Sequence, residues 1–186
     1  MNAQLPKELS WRRRSAGEVH SPLHSLAPWA KRELTVVVGK NQVALLLSEH
    51  EVHKSLPMGE HRLRVEGDES LLFVHGSELQ AVCVEFGAFR VNVRTHVDHP
   101  ARFYDLFLRN AENLDGQQLG EILHCLISDC CARWMQEQGT TTPSPSLADE
   151  LSIAAGASLA SCGLALVQLD LLAGTLRSGT RELNPV

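Results

Sequence analysis

Histidine and cysteine are two residue types that could bind a metal ion or attack a substrate, and this sequence contains nine histidines and five cysteines. Metal and thiol centres show fixed spacings such as His-Glu-x-x-His or Cys-x-x-Cys, and neither spacing occurs here. His96 and His99 flank a predicted strand–helix junction, so with a cysteine they could form a small metal- or thiol-dependent active site. The alternative is that the histidines are solvated or locally bonded. The missing spacings favour this alternative, and we predict no metal, no other cofactor and no catalytic residue.

Cys125, Cys130 and Cys131 share one predicted helix. A thiolate nucleophile needs a pKa lowered by a helix N-terminus or a neighbouring cation, and these cysteines lie in the middle of the helix or later. Cys130 belongs to the apolar stripe of that helix, which predicts a small buried side chain. An odd number of cysteines without paired spacing indicates a reduced, cytoplasmic protein. Because the glycine patterns of hydrolases and nucleotide-binding proteins are also missing, we predict that the protein is not an enzyme.

Trp11 is followed directly by Arg12, Arg13 and Arg14. Such a segment could lie on an anionic membrane, with the guanidinium groups at lipid phosphates and the indole at the interface. Each arginine contributes about 1 kcal/mol near such a surface, which is marginal without a larger apolar face. The alternative is that this segment docks on its own domain or on a sister subunit. Acidic residues outnumber basic ones, 22 against 17, and no long basic block occurs, so we predict no nucleic-acid partner.

Residues 86–103, FGAFRVNVRTHVDHPARF, predict a strand that runs directly into a helix. Strict alternation places five side chains on a buried face of the strand and the polar side chains between them on a solvent-exposed face. The buried set is Phe89, Val91, Val93, Thr95 and Val97. Pro100 suits the first position of a helix, with Asp98 or His99 as its cap. The apolar face predicted for that helix consists of Phe103, Leu106 and Phe107.

The remaining patterns predict an α+β domain. The runs ELTVVVG and QVALLLS, separated by Gly39–Asn41, indicate a β-hairpin. Asp115 with Gln118 forms a capping box that opens a long amphipathic helix. The apolar stretch 151–169 is divided by Gly163, which predicts a soluble helix followed by a strand. We therefore predict a mostly antiparallel sheet of six to seven strands with three helices packed on one face.

The order of these elements resembles the SPFH (band 7) superfamily of stomatins, prohibitins and flotillins, and within it the soluble bacterial virion-core-like branch. The segments that resemble the family are VVVGKNQVALLLSEHEV, LPMGEHRL, FGAFRVNVRTHVDHPARF and the final CGLALVQLDL, so the resemblance covers roughly residues 34–171. It implies a non-enzymatic scaffold or adaptor that self-associates and binds protein partners. It also implies that Asp98, Pro100 and Phe103 are structural residues of the strand–helix junction.

The sequence divides into a flexible N-terminal arm over residues 1–32, an SPFH-like domain over residues 33–172 and a polar tail over residues 173–186. We find neither the membrane hairpin nor the coiled coil of the family, so we expect a cytoplasmic protein. A peripheral contact of the arm with the inner membrane is a second hypothesis that we keep. The predicted apolar hairpin of ELTVVVG and QVALLLS would leave an unpaired strand edge, and another segment or another chain must cover that edge. We therefore expect a small homo-oligomer, a dimer more than a large ring, whose contact includes the arm.

Overall fold

The computed structural model describes residues 6–15, 17–76, 79, 81–86, 89–110, 114–138 and 145–173. These residues form ten β-strands and three α-helices, which confirms the α+β class. The strands are β1 (Glu8–Ser10), β2 (His24–Ser25), β3 (Glu33–Val38), β4 (Gln42–Ser48), β5 (Glu51–Leu56), β6 (Gly59–Arg64), β7 (Glu69–His75), β8 (Val82–Phe86), β9 (Phe89–Val97) and β10 (Leu164–Ala173). The helices are α1 (Pro100–Phe103), which continues as a π-helical turn over Tyr104–Leu108, α2 (Gly116–Gln138) and α3 (Pro145–Ser161).

The strands form three sheets, so the prediction of one sheet with six to seven strands is wrong. The front sheet has the order β1-β3-β6, the central sheet β2-β7-β4-β5 and the helix-side sheet β10-β9-β8. Neighbouring strands run antiparallel except for β1, which runs parallel to β3. A sequence pattern reports which face of a strand is buried, but it does not report which layer covers that face.

Strands β4 and β7 of the central sheet are buried on both faces. Side chains on one face pack with the front sheet, namely Ala44, Leu46, Leu71 and Phe73. Side chains on the other face pack with the helices and the helix-side sheet, namely Leu45, Leu47, Leu72 and Val74. This burial explains why VALLL and LLFV read as continuous apolar runs instead of alternating ones.

The predicted hairpin between β3 and β4 is absent. Strand β3 pairs with β1 and β6, whereas β4 pairs with β5 and β7 in another layer. The connecting turn has the positive φ expected at Asn41, 58°, but it makes a corner between two sheets. Gln42, buried at that corner, accepts a hydrogen bond from the Gly39 N–H through Oε1 at 3.1 Å. A turn signal of this kind is compatible with a hairpin and with a corner, which is why the sequence misled the prediction.

The N-terminal segment is docked on the domain where the structure describes it, and the flexibility that we predicted for this arm stays a prediction. Strand β1 pairs with β3 over Glu8–Ser10, and β2 pairs with β7. Val19 and Leu26 of this segment are buried. The arm thus covers the edges of two sheets within its own chain, because unpaired backbone groups at those edges would otherwise stay open. Residues 1–5, Ala16 and most of the predicted tail, residues 174–186, lie outside the described residues.

Helices α2 and α3 pack against the helix-side sheet. The apolar stripe that the sequence predicts for α2 consists of Leu119, Ile122, Leu123, Leu126, Ile127, Cys130 and Trp134. Ile122 departs from it with 37% exposure, and Leu126 is only partly buried. The buried members of the stripe are Leu119, Leu123, Ile127, Cys130 and Trp134. The apolar stretch 151–169 forms the end of α3 and the start of β10, as predicted. Among the described residues, no helix combines the length and the hydropathy that crossing a membrane requires.

The helix after β9 has a different buried face from the predicted one. Phe103 and Tyr104 are buried, but Leu106 is 56% exposed. The reason is the π-helical turn, in which the Arg109 N–H donates to the Tyr104 carbonyl at 2.8 Å. Such a turn is wider than an α-helical turn, so the side chains after it are rotated relative to the α-helical pattern.

Replacing Phe103 by Ala should lower the free energy of unfolding by about 3–5 kcal/mol, because the ring is fully buried and its removal leaves a cavity. Leu106→Ala is the matched control, since Leu106 lies three residues later and is exposed. We expect a change of less than about 0.5 kcal/mol there. Urea denaturation of both variants measures the difference. Equal losses would show that the buried face of this helix is assigned wrongly.

Candidate functional site

A cleft of about 1110 Å³ opens between the N-terminal segment and the start of α2. One wall contains Arg12, Arg13 and Arg14, the cations singled out in the sequence. The opposite wall consists of residues 114–117 at the beginning of α2. The cleft is therefore built from two parts of the chain that are about a hundred residues apart in the sequence.

The N-terminal wall is held by backbone pairing with β7. The Ser21 N–H donates to the Phe73 carbonyl at 2.9 Å, and the Phe73 N–H donates to Ser21 Oγ at 3.0 Å. The His75 N–H donates to the Val19 carbonyl at 2.8 Å. Ser21 is fully buried and is satisfied by these bonds. The chain therefore leaves the sheet at a fixed point and carries the arginines along one side of the cleft.

The helical wall is fixed by the predicted capping box. The Gln118 N–H donates to Asp115 Oδ1 at 2.8 Å, and the Asp115 N–H donates to Gln118 Oε1 at 3.1 Å. Directly after the cap, Gly116 packs against the backbone of Gly17. A Cβ atom on Gly116 would lie 3.0 Å from both the Cα and the carbonyl oxygen of Gly17. A glycine at 116 thus allows the arm to approach the helix closely.

The electrostatic character of the cleft is basic, although the whole chain has a net charge of −5. The cleft is lined by three arginines and two carboxylates, and both carboxylates already accept a backbone hydrogen bond. Glu18 Oε2 accepts from the Arg14 N–H at 2.6 Å, and Asp115 accepts from α2 as described above. Within the described residues, the guanidinium groups of Arg12 and Arg14 form no ion pair. These two cations are thus free to contact an anion.

Trp11 packs on the protein, and its indole is half-buried. Its ring centroid lies 6.5 Å from that of Phe73 and 6.4 Å from that of His75. Its carbonyl oxygen accepts a hydrogen bond from Gln42 Nε2 at 3.3 Å. The membrane arrangement considered from the sequence, with the indole at the lipid interface, would require Trp11 to leave these contacts.

Two histidines complete the cleft. His20 Nδ1 donates to the Ser21 carbonyl at 2.6 Å, so this nitrogen carries the proton. His24 stands edge-on to Phe73, with ring centroids 6.2 Å apart. His24 Nε2 is buried and has no hydrogen-bond partner among the described residues. Burial lowers the pKa of His24 below its usual value of 6.5, because desolvation disfavours the charged ring.

The predicted strand–helix junction of Asp98, Pro100 and Phe103 is held by backbone hydrogen bonds and by a buried ring. The backbone N–H groups of Asp98 and His99 both donate to the Gly163 carbonyl at 3.0 Å, and this bond pair joins the end of β9 to the end of α3. Pro100 occupies the first helical position and His99 the cap position, without a side-chain cap bond. The junction is thus fixed by backbone geometry at Gly163 and by burial of Phe103.

The rival active site at His96 and His99 is only partly assembled. His96 Nε2 lies 3.9 Å from Asp98 Oδ1, and His99 Nε2 lies 3.7 Å from Asp98 Oδ2. In the part of the chain that the structure describes, no group of three His, Cys, Asp or Glu side chains is arranged to hold a metal ion. Burial and the neighbouring Cys130 raise the pKa of Cys131 to about 11, the opposite of what a thiolate nucleophile requires.

The sequence identified the three arginines but not the rest of the cleft. His20, His24 and the 114–117 wall join them only through tertiary structure, so no local spacing could reveal them. Comparison with known proteins adds no relative: no family model matches the chain, and no match is found among curated proteins.

Replacing Gly163 by Ala should destabilise the junction. Its φ of +76° alone costs about 1–3 kcal/mol for a residue with a Cβ, and that Cβ would lie 2.7 Å from the His99 carbonyl oxygen and from the Phe103 nitrogen. Gly156→Ala in α3 is the control, because nothing lies within 4 Å of its Cβ and a helical Ala is favoured by about 0.5–1 kcal/mol over Gly. Thermal unfolding compares the two. A Gly163→Ala variant as stable as the parent would refute the role assigned to this glycine.

Thiol labelling should distinguish the cysteines of α2. Cys125 is exposed, whereas Cys131 is buried and its raised pKa keeps it protonated at neutral pH. Iodoacetamide at pH 7.5 should therefore modify Cys125 in the native protein and modify Cys131 only after unfolding. Peptide mass spectrometry gives the two rates. Faster native labelling of Cys131 than of Cys125 would support the thiol-enzyme alternative.

Proposed function

We propose that this chain is a non-enzymatic scaffold of the SPFH (band 7) type that self-associates and binds protein partners in the cytoplasm, with a peripheral membrane contact as a further element of the proposal. The family assignment rests on the ordered sequence resemblance. The mode of association rests on a separate observation, the open edge of strand β10.

Strand β10, with ten residues, is the longest strand in the part of the chain that the structure describes, and it lies at the end of the helix-side sheet. It pairs with β9 from Leu164 to Ala173, and within the described residues no strand pairs with its other edge. Its side chains are mostly apolar, and Val167 and Leu172 are 47% and 48% exposed. A long, apolar, unpaired edge is a template for another strand.

The other sheet edges are shorter or better protected. Strands β1 and β2 have three and two residues, and β8 has five. Strand β6 contains Glu60, Arg62 and Arg64, and β5 contains Glu51 and Lys54, and such charges discourage pairing with another chain. By contrast, β10 is ten residues long and contains one charged residue, Asp170, so a single bulge at Val167 and this one charge protect it. This comparison selects β10 as the edge for association.

A second copy of the chain is the best partner for this edge. Gln168 Nε2 donates to both carboxylate oxygens of Asp170, at 2.8 and 2.9 Å. In an antiparallel pair of β10 strands centred on Leu169, Gln168 of one copy stands opposite Asp170 of the other. Each carboxylate then faces an amide and not another carboxylate, which is favourable across strands. Such a two-fold contact closes on itself and gives a dimer.

This contact differs from the one expected from the sequence. We expected the edge of β3 and β4 to require the N-terminal arm. In the structure, β3 and β4 have strand neighbours on both sides, and the arm supplies one of them in its own chain. The proposal keeps the expected small homo-oligomer, but it assigns the contact between subunits to β10 instead of the N-terminal arm.

Light scattering tests the proposal on full-length protein. We expect a mass near twice the 20.5 kDa of the chain. Val167→Lys combined with Leu172→Lys should give the monomer mass, because charges on an edge strand oppose pairing. Ile153→Lys is the control, since Ile153 is 75% exposed and belongs to α3 and not to β10. A monomeric parent, or dissociation by both changes alike, would refute association through β10.

A further inference from the structure

We infer that the cleft between the N-terminal segment and α2 is a binding site for a phosphate group, carried by a small soluble anion or by a lipid headgroup. This inference does not depend on self-association, because the cleft and the β10 edge are formed by different residues. The site is assigned from its shape, its cations and an unsatisfied histidine nitrogen.

The cations of the cleft have the chemistry that phosphate recognition requires. An arginine guanidinium is planar, stays charged at all physiological pH values and can donate two parallel hydrogen bonds to phosphate oxygens. Arg12 and Arg14 both line the cleft, and within the described residues neither guanidinium is neutralised by a carboxylate. Two exposed arginines on a flat surface would be ordinary, but here they line a concave site together.

Within the described residues, the acidic side chains of the cleft form no ion pair with Arg12 or Arg14. Glu18 lies against the backbone N–H of Arg14, and Asp115 caps α2. Both carboxylates therefore perform a structural task that fixes a wall of the site. Because Asp115 already satisfies the first turn of α2, the helix N-terminus is not the anion-binding element, and the arginines are.

His24 supplies a second, independent observation. Its Nε2 atom is buried without a hydrogen-bond partner among the described residues, although the ring lines the same cleft as the arginines. A buried polar atom without a partner is costly, and a bound phosphate oxygen would accept a hydrogen bond from Nε2–H. The ring is held by its edge-on contact with Phe73, and Nε2 must become accessible before a phosphate oxygen can reach it.

The volume of the cleft, about 1110 Å³, exceeds what a single phosphate ion fills. The phosphate group is therefore expected to be part of a larger molecule or to bind with water. Both inorganic pyrophosphate and a lipid headgroup such as that of phosphatidic acid present the same terminal phosphate oxygens. The two sources can be separated experimentally because only one of them is attached to a vesicle.

Isothermal titration of the full chain with inorganic pyrophosphate tests the site. Arg12→Gln combined with Arg14→Gln should raise the Kd at least tenfold, because the change removes both guanidinium groups that donate charge-assisted hydrogen bonds to the phosphate oxygens. The matched control is Arg62→Gln combined with Arg64→Gln on β6. This control removes the same charge with the same spacing, and both of its arginines are exposed and lie outside the cleft. The control should bind like the parent.

His24→Gln should weaken pyrophosphate binding less than the double arginine change, and its melting temperature without ligand shows whether the fold is retained. Flotation with phosphatidylcholine vesicles, with and without phosphatidic acid, identifies the source. Flotation that pyrophosphate reverses assigns a headgroup, whereas pyrophosphate binding without flotation assigns a soluble phosphate compound. The inference is overturned if the parent neither binds pyrophosphate nor floats, or if both arginine pairs weaken binding equally.

Discussion

Burial of both faces of β4 and β7 is the constraint on which the rest of the structure depends. These two strands present apolar side chains in both directions, so a layer must cover each face. The front sheet covers one face, and the helices with the helix-side sheet cover the other. The N-terminal segment follows from the same constraint, because it pairs with β7 and extends the central sheet at its edge.

This arrangement determines where the protein can interact. Docking of the N-terminal segment on β7 closes one sheet edge and, at the same time, places the arginines opposite α2. The close contact of Gly17 with Gly116 then narrows the space between them into a cleft. Gly163 turns the chain from α3 into β10, and the outer edge of that strand has no neighbouring strand among the described residues. The two candidate interaction sites are therefore consequences of how the layers are closed.

The sequence predicted the elements better than their assembly. The alternation of β9, the capping box at Asp115 and the helix-to-strand change at Gly163 are local features, and the structure confirms all three. The division into three sheets was missed because a buried face does not identify the layer that covers it. Leu106 was assigned to the wrong face because the sequence gives no sign of the π-helical turn. The arginines were recognised, but the cleft was not, since its second wall is a hundred residues away.

The central claim is that this chain self-associates through β10. Amide hydrogen exchange as a function of protein concentration tests it most directly, because the method measures the exchange rate of the amides in each strand separately. The account predicts that amides of β10 gain protection as the concentration rises, while those of β6, a charged edge strand, exchange at a constant rate. Protection of β10 that does not change with concentration, or a gain confined to β6, would contradict the claim that this chain assembles through its last strand.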